Sequence, residues 1–411
     1  MVRGAGHTDI KEIFSTVVSL NYHPLTILSL RLNNNDCKEC PNGISARPFI
    51  QTNIALHLLN TILVLILILK LSKSDLLISF LVAAIFAVHP LHVESVAWVS
   101  GRKDLLSGLF FLSGLISYLN FKNESRGRYK WLICSFILFI LSCLSKATAV
   151  VFPVVLLLIN FWVYETEEAK PIRKSIVEAF SPRNLLILLP FLAVSVFLGL
   201  MASSIQNGNN FLGMLSFIKD PKDVVNVAGP LTILQRFRIA GYGFIIYLVK
   251  FFFPANQSAL HPFPSVPELN HGHFASISWI TIAATIILVI LIIRSLRKTK
   301  LYAFGLGFYF ITIALVLQFT PVGMAVISER YTYLPYIGFA LIPATLIKKS
   351  SKNLKTFLLS VSGCFIVILT FLSVRQVKVW NNSGTLWSQV IEHYPRLEFA
   401  HTARGKYYYK K

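Results

Sequence analysis

Charged residues are scarce in this chain of 411 residues. Asp, Glu, Lys and Arg make up 14% of it, whereas soluble globular proteins carry about 25%. So little charge cannot cover a water-facing surface, which excludes a cytosolic enzyme, and the 55% hydrophobic content excludes a disordered chain. The apolar residues form continuous runs, unlike the alternating strands of an outer-membrane barrel. The composition therefore predicts an all-α polytopic membrane protein.

Cysteine is also rare, and five cysteines are too few for a disulfide-rich scaffold. Cys37 and Cys40 form a lone C-x-x-C in a polar segment. A structural zinc site needs four ligands, and the sequence offers no second pair. We interpret this pair as either a local disulfide or two free thiols. The other three cysteines lie inside apolar runs, where they serve as packing residues.

Acidic residues are outnumbered, with 18 Asp and Glu against 39 Lys and Arg, which gives a net charge of +21. In a soluble protein such an excess indicates nucleic-acid binding. Here most basic residues flank apolar runs, as the positive-inside rule predicts. We therefore expect the lipid bilayer as a partner and no nucleic acid.

Ten runs of about 15–21 mostly apolar residues are long enough to predict membrane helices. They cover residues 53–71, 75–90, 105–121, 131–145, 147–164, 184–204, 276–293, 301–319, 331–347 and 356–374. The chain would then comprise an external N-terminal segment (1–52), a transmembrane domain (53–374) and an external helical segment (375–411). The sequence shows no signal peptide with an apolar core.

Basic residues predict the orientation of these helices. Five short loops hold 18 of the 39 basic residues, and we place those loops in the cytoplasm. Residues 231–253 are then an external interfacial or re-entrant helix, because one more crossing would put the flanking basic loops on opposite sides. Both termini fall outside, and an external N-terminus without a signal leads us to expect a span upstream of Met1.

The C-terminal segment has helical apolar spacing at Trp380, Trp387 and Val390, which Pro395 interrupts. Small residues then follow at the spacing of the first helix of a tetratricopeptide repeat: Ala400, Ala403 and Gly405. One such repeat needs neighbours to bury its faces. We therefore expect residues 375–411 to be the start of a repeat array.

Charged groups at membrane depth cost roughly 2.5–3.5 kcal/mol each, so those near span ends indicate function. The densest stretch is 86–106, FAVHPLHVESVAWVSGRKDLL. It brings two histidines, two carboxylates and two cations to one external membrane edge: His89, His92, Glu94, Arg102, Lys103 and Asp104. Cations near a helix start suit a phosphate group, which the backbone N–H groups there also bind.

Two alternatives compete with the phosphate interpretation. His89, His92 and Glu94 would supply three metal ligands, but no familiar metal-site spacing supports this. In the second alternative, these residues anchor the helices at the membrane interface, and Asp104 stabilises the dipole of the helix that it begins. This explains Asp104, but it does not explain why Glu94 lies beside two histidines. The phosphate site accounts for the whole set better.

Three further charged residues join the external face. Glu329 and Arg330 precede a tyrosine-rich span in SERYTYLPY, and Lys146 lies between two spans. Each has a simpler alternative: an exposed ion pair worth under about 1 kcal/mol for the first two, and a snorkelling lysine for the third. We expect Glu94, Arg102 and Arg330 to converge in one external pocket, because a phosphate needs its cations within a few Å.

Four segments resemble the transmembrane-and-tetratricopeptide O-mannosyltransferases, which are related to the protein O-mannosyltransferases of the GT-C superfamily: NYHPLTILSL, FAVHPLHVESVAWVSGRKDLLSGLFFL, LSKATAVVFPVVLLL and SERYTYLPYIG. The resemblance covers roughly residues 10–405. It implies a GT-C-like helical bundle with an external active site, a polyprenyl-phosphate-linked sugar as donor, mannose-like, and a protein side chain as acceptor.

The resemblance also implies site residues. The donor phosphate and sugar pocket would be lined by His89, His92, Glu94, Arg102, Lys103, Asp104, Lys146, Glu329 and Arg330. Of these, the carboxylates of Glu94 and Asp104 would be catalytic, since glycosyl transfer needs a base at the acceptor hydroxyl and cations at the leaving phosphate. No residue is assigned to a metal, and a divalent cation is left open as a cofactor.

The sequence departs from the family at its first external loop. The family carries an acidic pair there, whose Asp is the expected base, and this sequence begins downstream of that point. Asp9 and Glu12 do not stand in the motif and receive no role. The segment NNNDCKECPNGISARPF also replaces the usual glycine-aromatic linker. We therefore expect the 411-residue chain by itself to be inactive or nearly so.

Two other classes remain. A non-catalytic membrane scaffold presenting external repeats is the alternative to the transferase. A transporter is disfavoured, because its charged residues or broken helices would lie at span midpoints, whereas here the charges collect at external ends. The expected location is the plasma or inner membrane of a prokaryote or the endoplasmic reticulum of a eukaryote, with the C-terminus external.

Overall fold

The computed structural model describes residues 9–18, 20–33, 45–124, 126–163, 172–207, 231–319 and 323–409. Cys37 and Cys40, and with them the prediction of a disulfide or two thiols, lie outside the described residues. The described chain is helical apart from one pair of antiparallel strands of two and three residues. The all-α polytopic fold class expected from composition is therefore confirmed.

The helices and strands, in chain order, are α1 (Ile10–Ser15), α2 (Pro24–Leu32), α3 (Arg47–Leu71), α4 (Leu76–Val88), α5 (Val93–Ala97), α6 (Arg102–Asn123), α7 (Tyr129–Ser145), α8 (Phe152–Val163), α9 (Ile172–Ala179), α10 (Pro182–Asn207), α11 (Ile233–Phe252), β1 (His261–Pro262), α12 (Val266–His271), α13 (His273–Ser295), α14 (Leu301–Ile313), β2 (Ala325–Ile327), α15 (Pro335–Lys349), α16 (Lys352–Val379), α17 (Ser383–His393) and α18 (Glu398–Tyr409). Short 3₁₀ turns occupy Pro90–His92, Val99–Gly101, Ala147–Val151, Ala314–Val316 and Glu329–Thr332.

The chain packs as two compact units. Unit 1 comprises Met1–Ala83 and Val99–Val224, and unit 2 comprises Ala84–Trp98 and Val225–Lys411. These units are discontinuous in sequence, so they do not follow the predicted boundaries, which were drawn by position relative to a membrane. The boundaries before residues 53 and 375 fall inside the continuous helices α3 and α16.

Five helices in the described part of the chain are long and apolar enough to cross a membrane: Arg47–Leu71, Val99–Asn123, Pro182–Gln206, His273–Ser295 and Lys352–Val379. Leu76–Val88 and Pro90–Ala97 would be a sixth span if they count as one, bent by 52° at His89. The other four predicted spans are shorter helices, so the count of ten stays a prediction.

Unit 1 is built around α6. In the apolar stretch of the helix Val99–Asn123, 67% of the residues are buried. This is the largest buried share among the long apolar helices of the described chain. Polar side chains tie its neighbours to it: Asn60 of α3 donates to the Leu105 carbonyl at 2.9 Å, and Ser135 of α7 donates to the Gly114 carbonyl at 2.9 Å. Such hydrogen bonds hold helices together where apolar burial alone gives no preference between lipid and protein.

Unit 2 combines two weakly buried helices with a tightly packed pair. Only 11% of the residues in the apolar stretch of α13, and 6% of those in α16, are buried inside the protein. Such low burial is expected of helices that face lipid. Helices α14 and α15 instead meet at Gly305 and Gly338. A Cβ on Gly305 would lie 2.7 Å from the Gly338 carbonyl oxygen, so only glycine allows this backbone approach.

Residues 231–253, predicted as an interfacial helix, form the continuous 20-residue helix α11 in unit 2. Its three basic residues keep it out of the set of apolar spans. Arg238 donates to the Ser278 hydroxyl at 3.0 Å and to the Ala275 carbonyl at 3.2 Å, which fixes α11 along α13. The interfacial placement itself stays a prediction.

Candidate functional site

Glu94 and Arg330 form a buried ion pair in unit 2. The Arg330 guanidinium donates to Glu94 Oε1, and the Arg330 backbone N–H donates to Glu94 Oε2 at 3.0 Å. The guanidinium also lies over the rings of Trp98 and Tyr331, 5.2 and 5.0 Å from their centroids. Both oxygens of Glu94 are thus engaged by one arginine, which joins α5 to the 3₁₀ turn before α15.

Glu329 is held by a second network in the same unit. Its Oε1 accepts from Lys250 Nζ at 2.8 Å, lies 2.9 Å from His261 Nε2, and accepts from the Ser258 N–H at 3.4 Å. Burial acts to raise the pKa of Glu329, but the positive charge of Lys250 and the His261 ring outweigh it, and the pKa is lowered. The carboxylate is therefore ionised at neutral pH.

His261 extends this network to the C-terminal segment. Its Nδ1 lies 2.7 Å from the Tyr394 hydroxyl, so the ring bridges Tyr394 and Glu329. Burial raises the pKa of Tyr394, so its hydroxyl stays protonated and available as a donor. One chain of hydrogen bonds thus runs from the loop after α17 to the carboxylate before α15.

A narrow cleft lies beside both carboxylates. It is lined by Pro90, Glu94, Gln257, Ser258, Glu329, Gln376 and Trp380. Within the described residues, three buried polar atoms at this cleft have no hydrogen-bond partner: Glu329 Oε2, Gln257 Oε1 and Trp380 Nε1. Two acceptors and one donor left unpaired match hydroxyl groups, which both donate and accept.

His89 and His92 are buried packing residues in this structure. The Leu91 N–H donates to His89 Nδ1 at 3.3 Å, and His89 Nε2 lies 3.1 Å from the Phe251 carbonyl oxygen. His92 Nδ1 lies 2.9 Å from the Phe86 carbonyl oxygen. Both nitrogens of His89 are occupied, and the described residues contain no group of metal-binding side chains. The geometry gives no support to the metal alternative.

Asp104 and Lys146 pair in unit 1. Lys146 Nζ donates to Asp104 Oδ1, with the carboxylate 2% and the lysine 19% exposed. Asp104 Oδ2 is buried and has no partner in the described part of the chain. Asp104 lies in the first turn of α6, and Lys146 follows the last residue of α7. The packing of these two helices brings the pair together and leaves one carboxylate oxygen available.

Arg102 is fully buried and engaged by protein groups. Its Nε donates to Asn53 Oδ1 at 2.5 Å, one terminal nitrogen donates to the Ser29 hydroxyl at 2.8 Å, and the other donates to the Phe49 carbonyl at 2.9 Å. These contacts link α6 to α2 and α3. They favour a structural role for Arg102, and its contact with a phosphate stays a prediction.

The segment NYHPLT packs beside this end of α6. Thr26 donates to the Ser145 carbonyl at 2.9 Å, and His23 is buried. Burial, together with the nearby positive charge of Lys103, lowers the pKa of His23 to about 4. Around Asp104, unit 1 thus carries three cations against one carboxylate: Arg102, Lys103 and Lys146.

The predicted site residues therefore fall into two groups. Glu94, Glu329 and Arg330 meet in unit 2 with both histidines, and Asp104 and Lys146 meet in unit 1 beside Arg102 and Lys103. The convergence of Glu94, Arg102 and Arg330 in one pocket stays a prediction, because these residues divide between the two units.

Sequence reasoning missed Lys250, His261 and Tyr394. One signal was available: three histidines precede prolines, His23, His89 and His261, and all three are buried in the structure. A second signal was Lys250 in the apolar run 231–253, because a cation in such a run needs a partner.

The fold and the buried charge networks define a polytopic membrane protein with carboxylate and cation clusters at helix ends. Comparison with known proteins adds a family resemblance. The chain is 37% identical over 107 residues to the mouse protein O-mannosyl-transferase TMTC3, which covers 25% of this chain and 10% of that protein. It is 26% identical over 348 residues to the protein O-mannosyl-transferase F38B6.6 of Caenorhabditis elegans, covering 80% of this chain and 43% of that protein.

The human protein O-mannosyl-transferase TMTC4 is 37% identical over 117 residues, 26% of this chain and 15% of that protein. These matches confirm the predicted relationship to the transmembrane-and-tetratricopeptide O-mannosyltransferases. The chain spans less than half the length of each of these three relatives. No family model matches the chain, and no solved structure matches it.

Proposed function

We propose that this chain carries the membrane domain of a glycosyltransferase that moves a mannose-like sugar from a polyprenyl-phosphate donor to a protein acceptor on the external face. The names of its relatives support the reaction class, since all three are protein O-mannosyl-transferases. The apolar helices support a multi-pass membrane location. The endoplasmic reticulum of a eukaryote fits animal relatives, and the C-terminus lies on the external side.

The Asp104–Lys146 pair is the observation that carries this proposal. A buried carboxylate with one oxygen held by a lysine and the other without a partner is suited to accept a hydrogen bond from a sugar or acceptor hydroxyl. The surplus of cations around it suits the negative charge that builds on a departing phosphate. Lys146, at 19% exposed, is the cation of this pair that a donor phosphate can reach.

Glu94 acts in this proposal by holding Arg330, because both its oxygens accept from that arginine. Arg330 is 17% exposed at its side chain, so a donor phosphate can reach it. Glu329, held by Lys250, Ser258 and His261, fixes the segment that carries Arg330. Of the four remaining predicted residues, Lys103 adds to the positive charge near Asp104, and Arg102, His89 and His92 keep the helices in place around these groups.

The test begins with donor binding by the purified 411-residue chain in nanodiscs. Short-chain polyprenyl-phosphate mannose is compared with the matching polyprenol, which lacks phosphate and sugar. We expect saturable binding of the first only, weakened about tenfold in Lys146→Gln, because a charge-assisted hydrogen bond is lost. Glu392→Gln is the control, since Glu392 is an exposed carboxylate of α17 outside both clusters. Equal binding of the polyprenol would contradict the proposed donor.

Transfer is measured as release of polyprenyl phosphate from a labelled donor. Asp104→Asn and Glu94→Gln are each expected to lower the rate by about 10²–10³. Full turnover by this chain, abolished in Asp104→Asn, would show that the base lies within the sequence and is Asp104.

A non-catalytic scaffold is the second candidate, and the C-terminal helices favour it. Helices α17 and α18 pack as a pair through Val390 and Ala400, and the Trp387 and Phe399 rings meet at 5.4 Å. This pair resembles the start of a helical repeat that would present a binding face. Unchanged partner capture in Asp104→Asn, together with no donor binding by the wild type, would favour the scaffold.

A further inference from the structure

A second basic cluster lies at the other end of α6. Asp104 stands in the first turn of this helix and Lys122 in the last, so about 27 Å of helix separates them. A cavity of about 110 Å³ opens beside Lys122. It is lined by Phe121, Lys122, Arg128, Glu178, Arg183, Asn184 and Ile187, all of which belong to unit 1. A cavity that holds one buried water has a volume of roughly 10–15 Å³, so this cavity has room for a group of several heavy atoms.

Neutral groups hold two of the three cations of this cavity, Lys122 and Arg128. Lys122 Nζ donates to Asn184 Oδ1 at 3.3 Å, and Asn184 Nδ2 in turn donates to the Glu178 carbonyl oxygen at 2.7 Å. The Arg128 guanidinium lies over the rings of Phe121 and Tyr129, 5.5 and 5.3 Å from their centroids. An amide and two aromatic rings fix these positions without neutralising the charges.

The charge of the cavity is therefore unbalanced. Three cations line it, and Glu178 is the sole carboxylate among its described lining residues. No carboxylate of the described chain lies within salt-bridge distance of Lys122, Arg128 or Arg183. Among the described lining residues, three positive charges and one negative charge leave a net charge of +2, which a bound anion would balance.

The geometry points to a phosphomonoester site at this end of unit 1. A phosphomonoester carries about −1.5 to −2 charges at neutral pH, which balances the cavity, whereas a phosphodiester carries about one. Arginine and lysine together are the side chains that bind phosphate oxygens. Basic pockets at the ends of membrane helices bind lipid head groups. The phosphate would come from an anionic lipid or from a soluble phosphate, and the experiment separates these sources.

Lipid retention by the 411-residue chain tests the site. The protein is placed in phosphatidylcholine nanodiscs that contain either phosphatidic acid, a monoester, or phosphatidylglycerol, a diester, and retained lipid is counted by native mass spectrometry. We expect phosphatidic acid to be retained preferentially. Lys122→Gln and Arg183→Gln are each expected to weaken this retention about tenfold.

Two further variants keep the test decisive if Lys122→Gln or Arg183→Gln folds poorly. Glu178→Gln removes the opposing carboxylate, so retention should strengthen, which misfolding cannot produce. Arg126→Gln removes an exposed cation from the same loop outside the cavity and should have no effect. A loss in Arg126→Gln equal to that in Lys122→Gln, or equal retention of both lipids, would overturn the site in favour of diffuse membrane charge.

The soluble source is tested with inorganic phosphate in pure phosphatidylcholine nanodiscs. Saturable phosphate binding that is lost in Lys122→Gln would support the site and identify a soluble phosphate as its ligand. The proposed transferase reaction is not measured in any of these arms. Failure of the donor-binding experiment therefore leaves this site untouched, and its own failure leaves the transferase proposal untouched.

Discussion

The two units each bury a lysine against a carboxylate, and the two pairs are held differently. In unit 2, one oxygen of Glu329 is approached by groups from Lys250, Ser258 and His261. In unit 1, Asp104 has Lys146 as its ion-pair partner and more cations than carboxylates around it. A carboxylate anchored from several segments is part of the packing, whereas one anchored by a single flexible side chain can exchange that partner for a ligand.

The largest expected effect is the loss of stability when the charge of Glu329 in unit 2 is removed. Glu329→Gln should destabilise the protein by about 3–5 kcal/mol, because it leaves the buried Lys250 charge without a counterion. The matched change Asp104→Asn should cost about 1 kcal/mol, since the partly exposed Lys146 can turn to water. Unfolding of the purified protein by titration with denaturing detergent measures both.

The double variant Glu329→Leu with Lys250→Met is the control, because it removes both charges and should recover most of the lost stability. Equal destabilisation by Glu329→Gln and Asp104→Asn would show that the two pairs are structurally equivalent.

Acid should destabilise unit 1 through His23. Its pKa is about 4 in the fold against 6.5 for the free side chain, so the folded state binds fewer protons between these values. Stability from this group is complete above pH 6.5 and is lost as the pH falls toward 4, by about 3 kcal/mol. Hydrogen exchange of α2 across this pH range measures the loss.

His23→Asn should remove this pH dependence, because asparagine does not titrate. Lys103→Gln should reduce it, because the charge of Lys103 contributes to the lowered pKa. A pH profile unchanged in Lys103→Gln would argue against a positive surplus at this end of unit 1.

The close helix contact in unit 2 gives a smaller effect. Gly338→Val should cost about 1–3 kcal/mol, because a Cβ there would lie 2.8 Å from the Gly305 carbonyl oxygen and 2.6 Å from Phe308 Cβ. Gly363→Val is the control, since its Cβ would meet no atom within 4 Å. Thermal unfolding compares the two. Equal midpoints would show that α14 and α15 can separate without disturbing unit 2.

The smallest expected effect concerns the link to the C-terminal segment. Tyr394→Phe removes the 2.7 Å contact with His261 and should cost about 0.5–1.5 kcal/mol. Tyr408→Phe is the control, because Tyr408 is 59% exposed. Hydrogen exchange of α17 reports the change. If exchange rises equally in both variants, the segment is held by apolar packing and not by His261.

Much of the fold could be predicted because apolar runs and loop charges are local signals. Every predicted span overlaps a helix, and Glu94 and Arg330, which the sequence analysis expects in one pocket, form an ion pair although 236 residues separate them. The partners of Glu329 could not be predicted in the same way. Lys250 lies 79 residues away and His261 lies 68 residues away, and no local pattern records which cation reaches which carboxylate.

Arg102 is a second case in which the local sequence does not record the contacts of a charged side chain. Its place beside Lys103 and Asp104 predicts a phosphate contact, yet helices α2 and α3 supply Ser29, Asn53 and Phe49 to engage the whole guanidinium. A linear string of charged residues indicates that a site exists near the membrane edge. It does not indicate which of the charges point at a ligand and which at the protein.

The sequence by itself determined the helical membrane class, the positions of the helices and the family resemblance, because composition and short motifs are read without knowing contacts. Only the tertiary structure decided how the charges are shared. Within the described residues it gave Glu329 several partners and Asp104 one, and it collected Lys122, Arg128 and Arg183 around a cavity. The physical reason is that a buried charge is stabilised by whichever groups lie within a few Å, and helix packing alone sets those distances.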